Sequence, residues 1–220
     1  MKNAVLNEVS FAYDVDYILE DISLDIQQGE GCILLVGENG AGKSTLLNVL
    51  CGILKVQEGS VCRHKMKIAY LPFESPLYEH LSVLENLRYF YRCFQGKNLS
   101  LTDSFVTRVL NTLSIDYLSQ RLDRCSSGQR KKAGIACMLL SGADMIIMDE
   151  PFVAIDAEST QGLLALLQEM KEDTVVLLTS HTIKQLQDTA DRLLVLQGHH
   201  LVLDTRCRST MQTYFQEVRK

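Results

Sequence analysis

A continuous apolar run, Cys32-Ile33-Leu34-Leu35-Val36, leads directly into Gly37-Glu38-Asn39-Gly40-Ala41-Gly42-Lys43-Ser44 and then into Thr45-Leu46-Leu47-Asn48-Val49-Leu50. Few architectures accept that order. An apolar run without polar alternation predicts a strand buried on both faces, and the spacing of Leu46, Leu47, Val49 and Leu50 predicts a helix packed on the same sheet. The intervening pattern, G-x-x-x-x-G-K-[ST], predicts a loop whose backbone N–H groups turn inward around phosphate oxygens, helped by the partial positive charge of a helix N-terminus. Gly37, Gly40 and Gly42 supply the close turns, and Asn39, Ala41 and Thr45 complete the cradle. Lys43 would reach the outer phosphates, and the Ser44 hydroxyl would serve Mg2+.

The remaining segments extend this architecture. Two β-type segments precede the buried run, and Ile18, Ile22, Leu24 and Ile26, at mostly alternate positions, predict an antiparallel, half-buried pair. From about Ser82 to Leu140 the pattern is helical. Ser82-x-x-Glu85 is a capping box, and Phe105, Val106, Val109, Leu110 and Leu113 mark a further amphipathic helix. Strands and helices then alternate: Ala143–Asp149, a helix from Ala157 to about Lys171, Thr174–Ser180, a helix opened by Thr182-x-x-Gln185, the strands Arg192–Gln197 and His200–Asp204, and a helix near Met211 to Val218. Such alternation predicts βαβ crossovers and a mainly parallel sheet. With three prolines in 220 residues, and neither a repeat nor a Pro-rich linker, the expectation is one α/β domain, 1–220. It would carry an N-terminal antiparallel β subdomain and a helical subdomain at approximately 74–141.

The strand Met145–Met148 ends in Asp149-Glu150. Ligands of parallel sheets gather beyond the strand C-termini, so both carboxylates fall at the edge that carries the glycine loop. Asp149 suits the Mg2+ shell, and Glu150 suits the general base that polarises an attacking water. A net charge of −5 argues against bulk electrostatic binding to nucleic acid or an anionic membrane. Arg130-Lys131-Lys132 has no interleaved aromatics and is expected to be a solvated helix face, so no nucleic-acid partner is expected. The seven cysteines contain no C-x-x-C pair, which excludes the usual zinc spacings and fits reduced thiols. Polar Asn7, Glu8 and Ser10 exclude a signal peptide's apolar centre, and no apolar run is long enough to span a bilayer. Action at a membrane would therefore go through a partner.

Taken together, these motifs make the chain resemble the ATP-binding cassette ATPases over essentially its whole length. Cys125-Ser126-Ser127-Gly128-Gln129 resembles their LSGGQ signature, with Cys125 in place of leucine and Ser127 in place of the first glycine. Ser126, the Gly128 amide and the following helix N-terminus could grip a γ-phosphate or form an ordinary N-cap. Val153-Ala154-Ile155-Asp156 resembles the D-loop, and Asp156 can also cap a helix at Ala157. His181 resembles the H-loop histidine that contacts the γ-phosphate and Glu150. Tyr13 resembles the aromatic that stacks on adenine, with Tyr17 close enough to compete. Where the family has a glutamine after the strand Lys67–Leu71, this chain has Phe73. Either Glu74 turns in to replace it, or the site works with one Mg2+ contact fewer, or Phe73 packs against the helical insert or a partner's coupling helix.

The resemblance implies ATP and Mg2+ as ligands, with Glu150 and His181 catalytic. It also implies a homodimer, or a heterodimer with another cassette, that sandwiches two ATP molecules. The partner would be a separate transmembrane permease, which would hold the chain at the cytoplasmic face of the cell membrane. Tyr70–Phe94 resembles the matching stretch of small bacterial drug, antimicrobial-peptide and heme exporters, so export is the expected direction. A soluble mechanical ATPase of DNA repair or translation would usually need a second cassette, a coiled coil or basic extensions. A regulatory nucleotide-binding module without turnover is the other alternative.

Overall fold

The computed structural model describes residues 2–180 and 186–217. In chain order its elements are β1 (Asn3–Ala12), β2 (Tyr17–Gln27), β3 (Cys32–Val36), α1 (Lys43–Cys51), β4 (Glu58–His64), β5 (Ile68–Leu71), α2 (Val83–Gln95), α3 (Ser104–Thr112), α4 (Ser127–Leu139), β6 (Met145–Met148), α5 (Ala157–Met170), β7 (Val175–Thr179), β8 (Arg192–Gln197), β9 (His200–Thr205) and α6 (Arg208–Glu217). Among the described residues the strands form two sheets, ordered β2-β1-β4 and β5-β6-β7-β3-β8-β9. The first is antiparallel. The second is parallel except for the β8–β9 hairpin at its edge.

Strand periodicity explains why β3 and its neighbours read as unbroken apolar runs. Successive side chains leave a strand on opposite faces, and both faces of this sheet are covered. Cys32, Leu34 and Val36 join Ala133, Val106 and Leu163 in a core against the helices. Ile33 and Leu35 join Leu46 and Leu50 of α1, with Leu6 and Ile22 of the antiparallel sheet, in a second core. Met145, Ile147, Val175 and Leu177 point the same way as Ile33, whereas Ile146, Met148, Val176 and Leu178 face the helices. Each fully buried leucine or isoleucine contributes about 1.5–3 kcal/mol, so both layers hold the sheet firmly. The C-terminal ends of β3, β6 and β7, which lie side by side, therefore form a rigid edge.

Two expectations need correction, and one strand carries no sequence signal of its own. Glu58–His64 carries no apolar alternation, yet it is β4, an edge strand with a largely exposed surface that pairs with β1 through the main chain. The last helix starts at Arg208, one turn before Met211. The basic run on α4 is not a solvated face: Lys131 and Lys132 are 6% and 8% exposed. Their stems are drawn inward because partners wait there. Lys132 Nζ meets Asp156 Oδ2 at 3.1 Å, and Arg130 donates to the carbonyls of Cys125 and Asp123. The helix expected from Thr182-x-x-Gln185 lies outside the described residues. All seven cysteines are free, with Cys62 on β4, Cys93 on α2 and Cys207 before α6 exposed.

Candidate functional site

The edge formed by β3, β6 and β7 opens into a cavity of about 660 Å³, lined by Tyr13, Ile18, Asn39, Gly40, Gly42, Lys43, Ser44, Thr45, Phe73, Asp149, Glu150 and Val153. The loop after β3 enters α1 through Gly42, whose φ of 98° suits glycine, and a Cβ there would lie 2.8 Å from the Ile18 carbonyl oxygen. Lys43 folds back into its own loop, its Nζ donating to the carbonyls of Gly37 at 2.8 Å and Glu38 at 2.9 Å. Burial pushes the Lys43 pKa down, and the neighbouring carboxylates of Glu150 and Asp149 oppose that shift. Ala41 is held by its N–H to the Glu38 carbonyl at 3.2 Å.

Asp149 is buried and fully engaged. The Ser44 hydroxyl donates to Oδ2 at 2.6 Å, and the Thr179 hydroxyl donates to Oδ1 at 2.6 Å. Thr179 Oγ1 in turn accepts the Glu150 N–H at 2.8 Å. Glu150 is buried and has a φ of 50°, in the left-handed region. Among the described residues no group of three or more His, Cys, Asp or Glu could hold a metal ion. One hydroxyl and one carboxylate in direct contact instead fit Mg2+, a hard cation that usually keeps several waters and takes phosphate oxygens as further ligands.

The two tyrosines separate cleanly. Tyr13 lies at the cavity, with its hydroxyl 3.4 Å from Thr45 Oγ1 and its ring edge-on to Phe11. Tyr17 turns away to donate to Glu58 at 3.1 Å. Phe73 lines the cavity, whereas Glu74 is exposed and does not.

Ser126, Ser127, Gly128, Gln129 and Asp156 stand apart from this cavity. Ser126 caps α4 in a reciprocal box: its hydroxyl accepts the Gln129 N–H, and Gln129 Oε1 accepts the Ser126 N–H. A Cβ on Gly128 would come within 2.4 Å of the Ala154 carbonyl oxygen, so glycine is needed for α4 to approach that segment. Asp156 caps α5 through Ser159, and it also accepts from Lys132. Backbone and side-chain hydrogen bonds from Ser159, with one from Lys132, hold its carboxyl below the ordinary aspartate range. His181 lies outside the described residues. Sequence assigned Thr179 no role and read Lys131 only as part of a solvated basic face, although Thr179 sits one residue before the end of the Thr174–Ser180 run.

A sequence model described as ABC transporter matches residues 19–153. An uncharacterized ABC transporter ATP-binding protein of Methanocaldococcus jannaschii is 30% identical over 197 residues, which cover 87% of this chain and 74% of that protein. Mouse phospholipid-transporting ATPase ABCA3 is 31% identical over 190 residues, covering 81% of this chain but 11% of that much longer protein. A solved ATP-binding subunit of an ABC transporter superposes with a TM-score of 0.84 at 22% identity, over 99% of each chain, which is a likeness of fold.

Proposed function

This chain belongs to the ABC transporter family as an ATP-binding cassette with ATPase activity, and from that premise we propose that it drives export through a separate transmembrane permease by ATP-driven closure of a cassette dimer. The observation that carries the proposal is the convergence of Lys43, Ser44, Asp149 and Glu150 on one cavity, while Ser126, Ser127, Gly128 and Gln129 stand outside it. One chain then supplies the phosphate loop of one ATP and the signature of another, so a homodimer, or a heterodimer with a second cassette, completes both sites. No helix among the described residues is long and apolar enough to cross a membrane, which suits a subunit held at the cytoplasmic face by its permease. The resemblance of Tyr70–Phe94 to exporter cassettes favours export. Residues 74–141, within a single 1–220 domain, serve as the helical subdomain that meets the permease.

In this mechanism the loop amides and Lys43 bind and orient the phosphates, and Tyr13 stacks on adenine. Ser44 and Asp149 would hold Mg2+, which when bound neutralises charge on the phosphate oxygens. Glu150 accepts the proton of the attacking water, helped by His181, so the protein supplies positioning and electrostatics rather than covalent catalysis.

Glu150→Gln tests this. The amide keeps shape and hydrogen bonding but cannot take the proton, so the variant should bind ATP, stop hydrolysis and elute as a closed dimer in Mg-ATP. Monomer alone on size exclusion, together with normal turnover by the assembled complex, would refute the assignment.

A further inference from the structure

A lysine is seldom buried unless its charge is met, and the Lys131 ammonium meets two backbone carbonyls at once. Nζ donates to Asp149 O at 3.0 Å and to Phe73 O at 3.2 Å. The Phe73 ring covers the same ammonium, with its centroid 5.5 Å from Nζ. Burial pulls the Lys131 pKa down, and the Asp149 and Glu150 carboxylates pull it back.

The first of those carbonyls belongs to the peptide that joins Asp149 to Glu150. The N–H of that same peptide donates to Thr179 Oγ1 at 2.8 Å. Both polar atoms of one peptide are therefore gripped by side chains, one from α4 and one from β7. The peptide leads into Glu150 at a φ of 50°, a conformation that a residue with a Cβ keeps only where its surroundings fix it. We propose that Lys131 is a positioning residue for hydrolysis: it fixes the carbonyl of the Asp149–Glu150 peptide, as Thr179 fixes the amide, and it ties that peptide to the loop of Phe73. Glu150 is taken here as the general base, as proposed above. A displacement of the Phe73 loop then reaches the carboxylate-bearing peptide through a single ammonium. Phe73 needs no polar side chain for this, because its main-chain oxygen makes the bond.

Asp149–Glu150 is the one Asp-Glu dipeptide in the sequence. Labelling with carbonyl-13C aspartate and 15N glutamate therefore yields a single HNCO cross-peak, and it reports this peptide alone. In Lys131→Met, which keeps the aliphatic stem, the cross-peak should move and kcat should fall about tenfold or more, as expected for losing a charged hydrogen bond to a buried carbonyl. ATP affinity by equilibrium titration should be unchanged, and Lys131→Arg should recover most of the rate. An unmoved cross-peak with parental kcat overturns the proposal. So does a loss of kcat that follows lost ATP affinity or a lowered melting temperature and is not rescued by arginine. Should Lys131→Met fail to fold, Lys131→Gln is read by the same two measurements, and their constancy overturns the proposal equally. Failure of Glu150 as base would look different: hydrolysis would survive Glu150→Gln, while the parental cross-peak would still respond to Lys131→Met.

Discussion

Lys43 spends its donors on two neutral carbonyls of its own loop, Gly37 and Glu38. Phosphate oxygens would be stronger partners for a buried ammonium, since donor and acceptor would then both be ionised, whereas a carbonyl oxygen carries no net charge. Lys43→Ala should therefore abolish tight ATP binding, and parental affinity in an equilibrium titration would refute the phosphate-loop assignment. Phe73 sets up a second test at this scale. Phe73→Gln returns an oxygen to the cavity and leaves the main-chain bond to Lys131 in place, so it should raise ATPase activity in the assembled complex. Glu74→Ala should change activity little, because Glu74 is exposed and off the cavity. A large loss of hydrolysis with ATP binding intact would instead show that Glu74 had taken over the glutamine's role. The placement of Lys43, Ser44, Asp149 and Glu150 at one edge was legible in advance because their motifs abut buried strands. Lys131 was not, since its partners are backbone oxygens brought near by tertiary packing, and backbone atoms leave no trace in a residue pattern. Tyr17 stayed a competitor of Tyr13 for a similar reason: only the hydrogen bond to Glu58, on a strand with no apolar signature, turns it away.

Helix ends were the most readable elements. The Ser82–Glu85 box closes as its spacing implies, with Ser82 Oγ accepting the Glu85 N–H and Glu85 Oε2 accepting the Ser82 N–H. Asp156 does more than cap α5, because it also meets Lys132 of α4. Asp156→Ala should cost about 1 kcal/mol at neutral pH, the usual worth of an N-cap. The half-exposed ion pair adds little to that, because solvent screens it. The folded carboxyl is held below its ordinary pKa, so this contribution is complete above about pH 4 and fades as pH falls through and below that value. Denaturant midpoints of parent and variant should accordingly converge on acidification, and a constant gap would deny the carboxylate its part. β4 escaped notice because an edge strand is fixed by its neighbour's main chain, and its own residues are free to be polar.

Across the whole molecule, the β8–β9 hairpin is locked to the turn between β2 and β3 by Arg192, whose side chain is 3% exposed. It grips Asp204 through two bonds, at 2.7 and 2.6 Å, and also reaches Glu30 and the Asp25 carbonyl. Arg192→Met would leave Asp204 without the arginine while Glu30 keeps Arg206, a loss of about 3 kcal/mol that a urea titration can measure. A change of under 1 kcal/mol would mean that water replaces the arginine without cost. The layered α/β order was legible because each strand run was flanked by helix or turn signals, but this polar lock was not, since its members are far apart in sequence. The free cysteines carry a different kind of consequence. The exposed thiols fall on three separate parts of the molecule: Cys62 on the antiparallel sheet, Cys93 on the helical layer and Cys207 at the head of α6. Burial meanwhile pushes the Cys32 thiol up to about 12, and hydrogen bonds from Ser209 and Thr210 draw Cys207 down to about 6. The chain thus comes with its own surveying marks, a set of native anchor points for dyes or spin labels between which distances across the molecule can be measured without a single engineered residue.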